Sequence, residues 1–179
     1  MSRRGRGLAL LVLGLAAGCR PRGAGERSGR LEVRWTGAST AAFAAPASAE
    51  WCDSLNLLEI RAIAGDTGVG LAVYHQGGIA PGTYRVLKPE LAGTMPSAAA
   101  VGLRWYSRTA VQGFQGTSGE LSLRRAADGT LAGRFTAKAS SITDAGKLTV
   151  AGSFEGLRER QATRGCYAPP PPDTSARVH

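Results

Sequence analysis

The chain is expected to be all-β, a single antiparallel β-sandwich or barrel-like domain of about eight to ten strands. Three observations predict this. Apolar and polar residues alternate over short runs from residue 31 onward. Gly-Asp, Gly-Gly, Pro-Gly and Asp-Gly pairs separate those runs. Helix signals, an apolar period of 3.6 residues flanked by caps, are scarce behind the first 30 residues.

Taken in order, Leu31, Val33 and Trp35 alternate with Glu32 and Arg34 before Gly37, the pattern of a half-buried strand. In the Ala-rich stretch 41–49 (AAFAAPASA), Pro46 and the small residues fit an edge strand or loop better than a helical turn. Residues 54–64 (SLNLLEIRAIA) run into the turn Gly65-Asp66-Thr67-Gly68, and 69–75 (VGLAVYH) resumes a strand. Gly77-Gly78 and Pro81-Gly82 bracket the next turn, ahead of a short strand at Thr83–Leu87. Val101, Leu103 and Trp105 share one face, while Gly102, Arg104 and Tyr106 take the other. Glu120–Arg124 and Thr130–Ala137 flank Ala127-Asp128-Gly129, a hairpin turn through the preference of Asp-Gly for positive φ. Lys147–Leu157 closes the set after a turn at Asp144-Ala145-Gly146. Leu131-Ala132-Gly133-Arg134-Phe135 is echoed by Val150-Ala151-Gly152-Ser153-Phe154. Two copies are too few for a repeat protein, so the echo is expected to be neighbouring strands in which Gly admits a close approach and Phe fills the core. This G-x-F pattern, together with Leu15-Ala16-Ala17-Gly18-Cys19 near the N-terminus, loosely resembles secreted β-sandwich domains of bacterial lipoproteins over residues 82–157, a resemblance that implies no active site.

The N-terminus sets the compartment. Arg3, Arg4 and Arg6 precede the unbroken apolar run Leu8–Ala17. As a helix that run reaches about 15 Å at ~1.5 Å per residue, half of a bilayer core of roughly 30 Å, so it has the length of a secretory signal and not of a membrane span. Leu15-Ala16-Ala17-Gly18-Cys19 resembles the lipobox of bacterial lipoproteins, with Ala16 where Leu or Val is commoner. The resemblance implies cleavage after residue 18, diacylglycerol on the Cys19 thiol and an acyl chain such as palmitate on the new amine. Several chains clear the bar for stable anchoring, at ~0.8 kcal/mol per buried methylene. Arg20 stands where an aspartate would imply retention at the inner membrane, so the cell envelope is the expected location and the outer membrane is favoured in a two-membrane host. Ser2-Arg3-Arg4 resembles a twin-arginine signal, but Gly5, Arg6 and Gly7 replace the hydrophobic residues expected next, and the general secretory route is preferred.

This divides the chain into a signal peptide (1–18), lipidated Cys19 with a flexible basic tether (19–30), one all-β domain (31–167) and a Pro-rich tail (168–179) opening on Pro169-Pro170-Pro171-Pro172. Losing Arg3, Arg4 and Arg6 lowers the net charge from +9 to +6, half of it in the tether. The basic balance is therefore not the footprint of a nucleic-acid protein; it suits anionic headgroups beside the anchor, or a solvated linker. The membrane is the expected partner, with an envelope protein or small ligand open.

With Cys19 consumed by lipid, Cys52 and Cys166 remain, and an even pair in an oxidising compartment reads as a disulfide clasping the two ends of the domain. Such a closure contributes up to ~4–5 kcal/mol in the chain-entropy model. No catalytic, cofactor-binding or metal site is expected: His75 and His179 lie far apart in sequence, no acids cluster with either, and two cysteines without a nearby histidine make a poor zinc site. Asp66-Thr67-Gly68 resembles the nucleophilic loop of aspartic proteases, which implies a dimeric hydrolase because that chemistry shares one proton between two carboxylates. An ordinary turn between two strands is the preferred reading. Gly116-Thr117-Ser118-Gly119 lacks the spacing of a serine nucleophile elbow. Arg104-Trp105-Tyr106-Ser107-Arg108 mixes basic and aromatic residues as ligand-binding surfaces do, but alternation points Trp105 into the core. The domain is thus expected to be a non-enzymatic binding or structural module, with a hydrolase using Asp66 as the alternative.

Overall fold

Alternation becomes burial in the first strand, β1 (Arg30–Gly37), where Leu31, Val33 and Trp35 are buried and Glu32 and Arg34 exposed. The computed structural model describes residues 29–107 and 110–162. The segment expected to be a signal peptide, Cys19 with most of the expected tether, Cys166 and the Pro-rich tail with His179 lie outside the described residues. Nine further strands follow: β2 (Ala41–Cys52), β3 (Leu57–Ala64), β4 (Thr67–His75), β5 (Gly82–Val86), β6 (Ser97–Tyr106), β7 (Val111–Arg125), β8 (Leu131–Ser141), β9 (Lys147–Leu157) and β10 (Glu159–Gln161). A 3-10 turn at Asp53–Leu55 and a one-turn helix, α1 (Pro89–Ala92), complete the set.

β1 pairs with β2 on one side and with β9 on the other, so the sheet closes on itself and the all-β domain is a barrel. Nine strands form the closed wall and β10 is an extra. β6 and β7 pair directly over Gly102–Tyr106 and Val111–Gln115, then part. β5 fills the fork, antiparallel to β7 and touching β6 in parallel at Val86 and Ala99. The Ala-rich stretch is a long strand, and its Pro46 is placed as strand chemistry demands. Ala47 N–H donates toward β1, to Gly29 C=O at 2.8 Å, so the preceding position faces the β3 side, where the ladder stops at Ala47–Ala62. The missing N–H of Pro46 therefore breaks no ladder bond, and the Ala41–Pro46 half of β2 is locally an edge.

The inside of the barrel is filled by apolar side chains from every wall strand, Leu31, Ile60, Leu71, Val101, Leu121 and Phe135 among them. Each such side chain contributes ~1.5–3 kcal/mol on burial. Among the described residues no buried side-chain polar atom lacks a partner. The G-x-F echo is a reciprocal lock: Gly133 stands opposite Phe154, and Phe135 opposite Gly152. Two such triplets aligned antiparallel must pair this way, and each ring then lies on bare backbone.

At one pole, called proximal here, β1 begins and β9 ends. β10 takes the lane beside β2 that β1 has left, parallel to it at Ala49–Trp51. Ala162 N–H donates to Trp51 C=O at 2.8 Å, and Gln161 Nε2 donates to Asp53 Oδ2 at 2.8 Å while Trp51 Nε1 donates to Asp53 Oδ1. The hairpin predicted at Ala127-Asp128-Gly129 is also here, with Gly129 at φ 81°. Asp128 Oδ1 accepts from Thr130 N–H (3.0 Å) and Thr130 Oγ1 (2.7 Å), which holds its carboxyl below the usual range. α1 was not legible as a helix, because four residues carry no period. Pro89 suits a first helical turn, and Ala92 packs on Ala98 and Ala100 of β6 in a second, outer apolar cluster.

Candidate functional site

The opposite, distal pole and the wall just below it carry most of the exposed large apolar side chains. Ile63, next to last in β3, is 63% exposed, Ile142 follows β8 at 64%, and Tyr106 and Val111 face each other across β6 and β7 at 52% and 47%. Register places Ile63 and Ile142 on the two flanks of one trough. With Val69, Leu71, Leu103 and Phe114 buried in the core, period two turns Gly68, Gly70, Gly102, Arg104 and Gly113 outward. Gly70 pairs with Gly102, so two adjacent strands present bare backbone side by side. Ile63 stands beside Gly68 on one flank, and on the other Ile142 lies over Gly113 and donates its N–H to Gly113 C=O at 3.0 Å. The trough encloses about 410 Å³, within the range of small-ligand sites.

Its charges are unevenly satisfied. Arg61 on β3 is held by Glu50 at 2.9 Å and Glu59 at 3.3 Å. Arg104 lies across Gly68, and among the described residues it has no acidic partner within ion-pair distance. Glycine is not required at the floor by packing: a Cβ at Gly70 would meet nothing within 4 Å, and one at Gly102 only the Gly70 carbonyl at 4.0 Å. Neither has a positive φ. An interior-strand glycine costs roughly 0.5–1 kcal/mol against alanine, and such positions mark close approach of another group.

The residues singled out in the sequence are scattered. Asp66 is exposed at the tip of the β3–β4 hairpin, its carbonyl accepting from Tyr106 N–H at 3.1 Å. His75 is at the other pole, its Nδ1 2.8 Å from Gly78 C=O and its ring edge-on to Tyr84 at 5.9 Å. Ser118 lies at a register shift between β7 and β8. Trp105 points inward as alternation requires, sandwiched between Trp35 (5.4 Å) and Phe114 (5.2 Å) beneath the distal pole. Cys52 is buried at the end of β2, its sulfur 3.5 Å from Ser54 Oγ. Among the described residues no three His, Cys, Asp or Glu side chains are placed to hold a metal ion.

A larger hollow of about 950 Å³ is a saddle on the outer wall over β1, β9 and β8. Arg34, Arg124 and Arg134 line it together with Glu32 and Glu155, over small residues such as Ala151 and Ser153. The trough combines apolar walls at Ile63 and Ile142 with an open floor free of side chains, and it is the better candidate. Sequence reading passed over it. The only signal was glycine at alternate positions 68 and 70 and again at 102, and their meeting depends on a register that a 21-residue excursion between β4 and β6 conceals. No family model, curated protein or solved structure matches this chain.

Proposed function

We propose that this chain is an envelope lipoprotein, held on a membrane by acylated Cys19, whose barrel is a non-catalytic binding domain presenting the Gly70–Gly102 trough to a small ligand or an envelope partner. The observation that carries the reading is the polarity of the barrel. The described chain enters at Gly29 and leaves at Ala162 on the proximal pole, while the exposed Ile63, Tyr106, Val111 and Ile142 gather toward the distal one. A tether attached at the proximal pole turns the trough away from the lipid. The wall's polarity is the reverse of a membrane barrel, apolar inside and carrying Arg30, Glu32, Arg34, Glu59 and Arg61 outside.

A Cys52–Cys166 disulfide belongs to the same proposal. Ala162 is hydrogen-bonded to Trp51, next to Cys52. Four residues span up to ~14 Å at ~3.3–3.6 Å each, which brings residue 166 within reach of a partner that must lie ~4.4–6.8 Å away between Cα atoms. The outer membrane is the favoured leaflet system in a two-membrane host, on the strength of Arg20.

Metabolic labelling with a clickable palmitate analogue and fractionation of the envelope test the anchor. Label and membrane association are expected in the unaltered chain and lost with Cys19→Ser; an exported chain that is soluble and unlabelled refutes it. Peptide mapping without reductant tests the disulfide, and recovery of Cys52 and Cys166 as alkylated thiols refutes that part.

A further inference from the structure

We infer that the trough takes a planar aromatic carboxylate, the ring lying on the peptide backbone of Gly70 and Gly102 and the carboxylate meeting Arg104 in the adjoining row, which Ile63 and Ile142 flank. This rests on the reading of the trough as a binding site and names its ligand class.

Shape selects the ring. In register the floor row runs Arg61–Gly70–Gly102–Gln115, and the next row toward the distal pole runs Ile63–Gly68–Arg104–Gly113 with Ile142 over its end, so the isoleucines flank Arg104 one row beyond the floor. The floor itself is flat, since neither Gly70 nor Gly102 carries a side chain and both are open above. A planar ring covers two bare strands in full, whereas a flexible chain would bridge them and lose rotational freedom in doing so. Charge selects the anion. Arg61, on the flank of the floor, is already neutralised by Glu50 and Glu59. Arg104 is not, among the described residues, and it borders the floor directly, on β6 two positions from Gly102. Its planar guanidinium matches a carboxylate in two parallel hydrogen bonds.

The test uses the full chain carrying Cys19→Ser, which leaves every trough residue unchanged, and follows its backbone amides by NMR. The probes are 2-naphthoate, its neutral counterpart 2-naphthalenemethanol, and octanoate as a flexible carboxylate. Titration with 2-naphthoate is expected to shift the amides of Gly68, Gly70, Gly102 and Gly113 saturably, with a dissociation constant of ~1 mM or tighter for a ligand of this size. The neutral alcohol is expected to bind about tenfold more weakly, and Arg104→Gln to weaken naphthoate by a similar factor while leaving the alcohol unaffected. Gly70→Leu, whose Cβ has free space, is expected to abolish the shifts in a protein that otherwise keeps its spectrum. Equal binding of octanoate or of the alcohol at the same amides overturns the aromatic carboxylate and leaves the trough standing as a site. Absence of saturable shifts with all three probes overturns both, while the membrane anchor is judged separately by labelling at Cys19.

Discussion

Adding one methyl group at Gly152 tests the reciprocal lock between β8 and β9. A Cβ built there would lie 2.6 Å from Phe135 Cε1 and Cζ and 2.6 Å from the Glu32 carbonyl oxygen across β1. Real Cβ contacts sit near 3.4–4 Å, so something must move by roughly 1 Å. The carbonyl is fixed by its ladder and the Phe135 ring is 2% exposed, so neither can swing into solvent. Overpacking of this kind costs ~1–3 kcal/mol, and with both sides closed the upper part of that range applies. At ~2.1 cal/mol/K per residue over about 130 described residues, 2–3 kcal/mol lowers Tm by about 7–11 °C. Gly70→Ala is the control: the same methyl group meets nothing, and relief of glycine's entropy raises stability by ~0.5–1 kcal/mol, about 2–4 °C. Thermal and urea denaturation of both variants read the contrast, and the double variant Gly152→Ala/Phe135→Leu should lose less than the sum of its parts. If Gly152→Ala and Gly70→Ala shift Tm alike, the claim that ring-on-backbone contact dictates glycine at 152 is refuted.

Trp105→Ala removes the middle ring of the Trp35–Trp105–Phe114 stack and should cost ~3 kcal/mol with loss of much of the near-UV circular dichroism; unchanged dichroism would contradict the stacked geometry. Asp128→Ala should lower Tm at neutral pH. Because Thr130 depresses the folded carboxyl, that stabilisation is present above the usual aspartate value of 3.8 and lost as pH falls through the lower folded one, so the deficit should close in acid and a constant gap would count against it. Tyr84→Phe removes a buried hydroxyl that donates to Ala80 C=O, at a cost of ~1 kcal/mol. Burial raises the Tyr84 phenol above 10.0, so the native tyrosine's contribution is intact below that value and lost as pH rises through the raised one. The variant's deficit should therefore shrink in alkali, as urea titrations from pH 8 to 11 would report.

The local half of this fold is legible in the sequence, and the global half is not. Leu31-Val33-Trp35 and Val101-Leu103-Trp105 declare strand and inner face at once, because a period of two has one solution per strand. Asp128-Gly129 declares its hairpin by the φ that glycine alone adopts freely. Whether those strands make a sandwich or a barrel is decided by β1 meeting β9, a pairing that no local pattern encodes. β10 escaped for a similar reason: Glu159–Gln161 is exposed throughout and has no alternation, and only its place beside β2 makes it a strand. Membership of the trough depends on register between strands far apart in sequence. Gly70 and Gly102 look like two weak points in two strands until Gly70–Gly102 pairing puts them together.

The seam of the wall joins the first strand to the ninth, and that dictates when the molecule can exist. A chain emerging from its N-terminus has nothing to lay against the free edge of β1 until Leu148–Glu155 of β9 has appeared. Every shorter length is an open, curling sheet with an apolar inner surface. Folding must await nearly the whole polypeptide and proceed through distant contacts, which makes it slow. Throughout that interval neighbouring copies offer one another the edge that only β9 should occupy. Shielding of the nascent chain is therefore a requirement of its topology, and the moment at which that shielding ends is set by the emergence of β9.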